Sequence, residues 1–263
     1  MREGFDVMKV VLLAGGWGTR ISEESEHRPK PMIEIGGMPI LWHIMKEYSH
    51  YGYNDFIICA GYKHHIVKKW FADYAFYTSD MVFDFANGGT MEIVDQKSEP
   101  WKVTVVDTGM YTNTGGRIKR VQKYIGNEPF MVTYGDGVCD VDISKIVEFH
   151  EKHGKIATLT SVEIREMKGV LDIAYDNSVR SFREKNSADS SLVNAGYMVL
   201  KPEIFNYLDE DSILETDVLT RLADEGELMS YYHKGFWQCM DTLKERTILE
   251  NLIARNEAPW IKW

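Results

Sequence analysis

Between residues 9 and 74 the chain alternates two kinds of apolar pattern, and no other feature narrows its possible folds as far. "KVVLLAG" (9–15) is a short, wholly apolar run closed by glycine, as in a strand buried on both faces. "PILWHIMKEYSHYG" (39–52) opens on proline, carries apolar residues at helical spacing and closes on glycine, so it predicts a helix. "DFIICAGY" (55–62) is a second strand and "HHIVKKWFADY" (64–74) a second helix. Strand–helix–strand–helix predicts an α/β fold: a mixed, mainly parallel sheet with helices on both faces.

The pattern continues. Strands are predicted over 101–108, 129–136, 156–164 and 195–201. Helices are predicted over 141–154 and 242–257, the latter with Thr242 as N-cap. Segments near 81–108 and 170–200 add small antiparallel β pieces. No repeat or linker divides the chain, so residues 8–263 read as a single domain and residues 1–7 as an extension before it. In such folds ligands bind at the carboxyl ends of the parallel strands.

Composition excludes some functions. The formal net charge of −10 argues against general binding to nucleic acid or anionic membranes. No apolar run is long enough to span a bilayer, and the start "MREGFDVMKVV" has no signal-peptide pattern, so a cytoplasmic protein is expected. Cys59, Cys139 and Cys239 are far apart with no C-x-x-C pair, which fits buried thiols better than a disulfide or zinc scaffold. His64 and His65 are adjacent and point apart on a helix, and His150 and His153 sit just before Gly154, so neither pair reads as a metal chelate.

Four features carry chemistry. "VLLAGGWGTR" (11–20) ends a strand in Gly15, Gly16 and Gly18, followed by Thr19 and Arg20. The stretch is either a tight turn or a loop whose backbone N–H groups lie against a phosphate, with Arg20 as a charged fork. It matches neither the Walker loop nor the dinucleotide G-x-G-x-x-G, because position 21 is Ile. "HRPKPM" (27–32) holds Lys30 between two prolines, which suits a lysine aimed at a fixed anion. "TYGDGV" (133–138) sets Asp136 at a strand end between two glycines, and "FWQCMDT" (236–242) sets Asp241 beside the N-cap of the last helix. Alone, these aspartates read as an Asx-turn and a helix-dipole residue; with a phosphate loop they read as Mg²⁺ ligands.

The motifs "LLAGGWGTR…KPM", "YGDG" and "MDT" resemble the sugar-phosphate nucleotidyltransferases. "EPWKVTVVDTG", "TGGRIKRV", "HGKIATLT", "GELM" and "GFWQCMDTL" resemble the branch that uses CTP, over nearly the whole chain from Met8 to "APWIKW". The resemblance implies a Rossmann-like nucleotide-diphospho-sugar transferase fold. It implies transfer of CMP from CTP to a sugar 1-phosphate, with glucose 1-phosphate as the first acceptor and a CDP-sugar and pyrophosphate as products. Leu13, Gly15, Gly16, Gly18, Thr19, Arg20 and Arg117 would hold the nucleotide. Tyr134, Gly135, Glu184, Lys185 and Asn194 would hold the acceptor. Asp136 and Asp241 would hold Mg²⁺, and Arg20, Lys30 and Lys185 would stabilise the reacting phosphates. A homo-oligomer is implied too.

Four positions depart from the family pattern. Met167 and Lys168 replace an Arg-Phe pair, Asn186 replaces a proline after Glu184 and Lys185, and Ala195 replaces a glycine after Asn194. All lie on the acceptor side, which leaves a different phosphorylated acceptor open. A catalytically inactive nucleotide-binding module is the reading from another class; loss of Lys30, Asp136 or Asp241 would favour it, and all three are present.

Overall fold

The computed structural model describes residues 8–18, 21, 24, 27–165, 170–175, 178–183 and 190–263. Seven strands form the central sheet: β1 (Val10–Ala14), β2 (Asp55–Ala60), β3 (Lys102–Asp107), β4 (Phe130–Tyr134), β5 (Ala157–Arg165), β6 (Ser190–Leu200) and β7 (Leu228–His233). Their spatial order is β7-β5-β6-β4-β1-β2-β3. β1 is parallel to β2 and β4, β2 to β3, and β5 to β7, while β6 runs antiparallel between β4 and β5. The sheet is therefore mixed and mainly parallel, as the sequence predicts.

β1 is central and feeds two cores. Val10, Leu12 and Ala14 face one layer; Val11 and Leu13 face the other. That two-sided burial explains the unbroken apolar run. The first layer receives Ile40, Leu41, Ile44 and Met45 from the helix Ile40–His50, together with Trp260 from the C-terminal segment. Trp260 is fully buried, and Trp263 meets Trp42 edge-on. The other layer receives Ile118 from the helix Thr114–Arg120 and Leu214 and Val218 from a π-helical turn, Leu214–Leu219.

The last helix, Leu243–Ala254, begins with a full capping box between Thr242 and Glu245. The hairpin Asp80–Asp84 with Thr90–Asp95, and the pair Val170–Ile173 with Val179–Arg183, are the antiparallel additions expected from the sequence. Three features differ from the sequence reading. The helix from His64 runs on to Thr78, "TGGRIKR" is helical despite two glycines, and the π-helical turn has no sequence signal. Packing supplies the difference: Gly115 and Gly116 lie so close to Ser212 and Glu210 that a Cβ would stand 2.7 and 2.1 Å from their carbonyl oxygens. Among the described residues no helix is long and apolar enough to cross a membrane.

Candidate active site

The carboxyl ends of β1 and β4 open onto a cleft of about 740 Å³. Leu13, Gly15, Gly16, Gly18, Lys30, Arg117, Tyr134, Gly135, Asp136 and Asp241 all line it. Ten predicted positions, scattered over more than two hundred residues of sequence, thus meet in one place. Asn194 stands behind the wall: its Oδ1 accepts from Gly196 N at 2.9 Å, and its side chain bonds to Tyr134. Thr19, Arg20, Glu184 and Lys185 lie outside the described residues, as do Met167, Lys168, Asn186 and the 1–7 extension. Ala195 lines the cleft and its carbonyl accepts from Trp237 Nε1 at 2.9 Å.

The glycines of the first loop have different reasons to be glycine. A Cβ at Gly15 would stand 2.1 Å from Arg117 Nη1, so the fold itself excludes a side chain there. Gly18 has φ of +66°, a left-handed conformation. Gly16 has neither constraint: its φ is not positive, and a Cβ there would meet no protein atom within 4 Å. The open space beside it belongs to the cleft.

Arg117 is 5 % exposed and ties two loops together. Nη2 donates to Gly15 O at 3.1 Å, and Nη1 donates to Thr108 Oγ1 and Gly109 O, both at 2.8 Å. Burial pulls its pKa below the usual guanidinium value, yet a guanidinium remains charged in proteins. The sequence resemblance places Arg117 beside the nucleotide; the structure shows that these donors already hold the loops of the cleft.

Lys30 opens a short 3₁₀ turn, Lys30–Met32, behind Pro29 at φ −65°. The proline fixes the approach and Lys30 is 8 % exposed, so its ammonium has one direction to point. Nζ lies 2.6 Å from Asp136 Oδ2 and 2.5 Å from Asp241 Oδ1. Burial works against the charge, but attraction and hydrogen bonding from Asp136 and Asp241 outweigh it and raise the lysine pKa above its ordinary value. The two aspartates meet because the short strand Gly137–Cys139 pairs antiparallel with Trp237–Cys239, and Met240 N donates to Asp136 O at 2.8 Å. Glu245 of the capping box holds the Asp241 backbone N–H at 2.7 Å.

Two carboxylates converging on one cation form an all-oxygen set, which fits a small hard metal ion. Cys239 borders them, with Sγ 3.7 Å from Asp241 Oδ2. Burial, with Glu245, Asp241 and Asp136, pushes that thiol up to about 12, so it stays neutral. Cys59 and Cys139 are buried as expected; Cys239 departs from that expectation by lining the cleft. Its neighbours Trp237 and Asp241 bring that edge of the short ribbon to the opening.

His150 Nδ1 and His153 Nε2 both bond to Thr158 Oγ1, at 2.8 and 2.7 Å. Away from the cleft, Cys139, Asp140 and His233 bring one ligand atom each within 4.8 Å of one another. Asp140 Oδ1 there takes hydrogen bonds from His233 Nε2 and Phe236 N, both at 2.7 Å, and so fixes the Gly235 turn.

Sequence reasoning missed Glu215. It lines the cleft from the π-helical turn, accepting from Tyr134 Oη at 2.5 Å and Thr114 Oγ1 at 2.7 Å. Burial, then Glu215, drives the Tyr134 pKa up, so the phenol stays protonated and donates. π-helical turns gather at functional sites, but nothing in the local sequence announces one.

A Gly-rich loop after the first strand of a mixed α/β sheet, facing a lysine and two strand-end aspartates, defines a phosphate-handling enzyme of the nucleotidyltransferase class. The chain belongs to the nucleotidyl transferase family, whose family model matches residues 9–246. It is 50% identical over 258 residues to the glucose-1-phosphate cytidylyltransferase of Salmonella typhimurium strain LT2, covering 97% of this chain and 100% of that protein. It is 39% identical over 258 residues to the probable glucose-1-phosphate cytidylyltransferase of Bacillus subtilis strain 168, with 97% and 100% covered. Among solved structures it is similar to HddC from Yersinia pseudotuberculosis complexed with GMP-PN, at 25% identity and a TM-score of 0.68, covering 94% of this chain and 99% of that one. The resemblance to the CTP-using branch is borne out.

Proposed function

We propose that this chain transfers CMP from CTP to glucose 1-phosphate, releasing pyrophosphate and forming CDP-glucose. The observation that carries the reading is the meeting of Lys30, Asp136 and Asp241 at the mouth of a cleft floored by Gly15 and Gly16. An oxygen of the sugar phosphate attacks the α-phosphorus of CTP, a new P–O bond forms, and the α–β bridge breaks with its electron pair leaving on pyrophosphate. That oxygen is already ionised at neutral pH, so no general base is required. The barrier lies in bringing anions together, and positioning and charge stabilisation lower it.

Gly16, which the fold does not require to be glycine, lets a phosphate approach the loop backbone. Lys30 supplies positive charge at the reacting phosphates. Arg117 holds the Gly15 loop in shape from behind. Asp136 and Asp241 would hold Mg²⁺, which when bound neutralises phosphate charge. Arg20 and Lys185, outside the described residues, would add positive charge for the reacting phosphates.

The test is pyrophosphate release with Mg²⁺, crossing CTP, UTP, dTTP and ATP with a panel of sugar 1-phosphates and other phosphorylated acceptors. Turnover restricted to CTP with glucose 1-phosphate is expected. Turnover with CTP and another acceptor alone would move the assignment to that acceptor, and turnover with UTP or dTTP alone would sink the CTP assignment.

The protein works in the cytoplasm, where CTP is available, and as a homo-oligomer. The hairpin of 80–84 and 90–95 supports assembly, because it exposes Phe83, Met91 and Ile93 on one face and Val82 and Val94 on the other. Light scattering on the wild type and on Phe83→Asp reads the oligomer directly; an unchanged mass in the variant would remove the hairpin from the interface.

A further inference from the structure

The wall formed by Tyr134, Glu215 and Thr114 has an unusual hydrogen-bond polarity. The single hydroxyl hydrogen of Tyr134 goes to Glu215 Oε1 and that of Thr114 to Glu215 Oε2. Thr114 Oγ1 itself accepts from Leu214 N at 2.9 Å. Tyr134 receives the Asn194 side chain, whose Oδ1 is turned away by its own bond to Gly196 N. Every proton on these hydroxyls is therefore spent, and the carboxylate retains lone pairs on both oxygens. Glu215 lines the cleft and is half-buried, so the carboxylate lies within reach of a ligand bound there. Gly196 makes the arrangement possible: with φ of +85°, a Cβ there would stand 2.4 Å from the Tyr134 ring.

A wall that can only accept hydrogen bonds needs a ligand group that donates. Phosphate oxygens are excluded, since an ionised phosphate only accepts and repels the carboxylate. A sugar hydroxyl donates, and a charge-assisted bond to a carboxylate is among the stronger hydrogen bonds available. Tyr134, which donates to Glu215, stands with Asn194 on β4 and β6, on the opposite side of β1 from the β3 loop that Arg117 ties to Gly15; Thr114, the other donor to Glu215, opens the helix that carries Arg117, so Glu215 spans the middle of the cleft.

We infer that Glu215 is a specificity-determining residue that accepts a hydrogen bond from a hydroxyl of the bound sugar phosphate, oriented for it by Tyr134 and Thr114. The inference rests on the proposed CMP transfer and names a residue that reads the acceptor. A site that hydrogen-bonds a hydroxyl rejects the analogue lacking it far more strongly than an apolar pocket rejects an added methylene.

Calorimetric binding of CDP and CDP-glucose separates the sugar contact from the nucleotide contact. Wild type, Glu215→Ala, Glu215→Gln and Tyr134→Phe are compared, with thermal melts confirming folding; the isosteric Gln variant carries the test if the Ala variant does not fold. The ratio of CDP-glucose to CDP affinity is expected to fall about tenfold in Glu215→Ala, less in Glu215→Gln, with CDP affinity unchanged within about twofold. One CDP-deoxyglucose in the 2-, 3-, 4- and 6-deoxy series is expected to bind wild type and Glu215→Ala alike, which identifies the hydroxyl. A ratio unmoved in both Glu215 variants overturns the inference, as does a loss that falls on CDP itself. A wild type that binds CDP-glucose no better than CDP overturns the CMP-transfer reading along with it.

Discussion

Lys30 Nζ bridges Asp136 Oδ2 at 2.6 Å and Asp241 Oδ1 at 2.5 Å, joining residues 106 and 211 positions apart in the chain. The three groups hold two negative charges and one positive one. The ammonium keeps the carboxylates together at a corner that would otherwise open by repulsion. Lys30→Ala is expected to lower kcat by roughly 10²-fold or more, the scale of losing one positioned transition-state donor. Mg²⁺ should still bind, because both carboxylates remain. Turnover and Mg²⁺ titration of the variant check this together, and near-wild-type kcat would take Lys30 out of the chemistry.

Asp241→Asn separates the ligand role from the fold. The Thr242–Glu245 capping box is independent of the Asp241 side chain, so the last helix should keep its stability. The Mg²⁺ concentration for half-maximal activity is expected to rise about tenfold or more, as removal of an anionic oxygen ligand weakens a hard cation. The melting temperature should fall by a few degrees at most, because the variant weakens the pair with Lys30 while Asp136 keeps the ammonium partnered. A large melting shift with unchanged Mg²⁺ dependence would make Asp241 a structural residue.

Arg117→Lys tests whether the loops of the cleft are held by a fork. A single ammonium cannot reach Gly15 O, Thr108 Oγ1 and Gly109 O together. Losing buried hydrogen bonds should cost about 2–3 kcal/mol and lower the melting temperature by several degrees. The KM for CTP should rise about tenfold, with a smaller change for the sugar phosphate. Gly15→Ala, which sets a methyl into the same guanidinium, should reproduce the CTP effect.

His43 predicts an acid-sensitive core. It is 3 % exposed, with Nε2 at 2.9 Å from Ile35 O and Nδ1 accepting from Trp260 Nε1 at 3.4 Å, an arrangement that fixes the neutral Nε2–H tautomer. Burial lowers its pKa from 6.5 to about 4. The unfolded chain therefore binds a proton that the folded one refuses. Stability from this group is complete above pH 6.5 and is lost as pH falls towards 4, on the order of 3 kcal/mol in all. Urea unfolding at pH 7 and pH 5 should show a drop in wild type that is reduced, but not abolished, in His43→Gln. His150, also lowered to about 4 by burial, contributes a similar drop.

Much of the scaffold was legible in the sequence, and for identifiable reasons. β1 and β2 are continuous apolar runs because both of their faces are covered. The helix Ile143–His153 carries its own start and stop, with Asp142 capping Lys145 N and Gly154 at φ +69°. The residues around Lys30, Asp136 and Asp241 stood out because prolines and glycines restrict or free the backbone at chosen positions. Cys239 and Glu215 did not stand out, since their roles depend on what lies across the cleft. Arg117 was visible, but not the carbonyls that occupy it.

The order of apolar runs, caps and glycines determined the local elements, because strand and helix periods, φ limits and capping are properties of neighbours in the chain. It also determined the kind of chemistry, through which charged residues sit at strand ends. Only the tertiary structure decided which of them meet. The pairing of Gly137–Cys139 with Trp237–Cys239 sets Asp241 beside Asp136, and the π-helical turn sets Glu215 against Tyr134. Contacts between residues a hundred positions apart depend on sheet order and layer packing, and those are settled by burying two faces of one sheet at once.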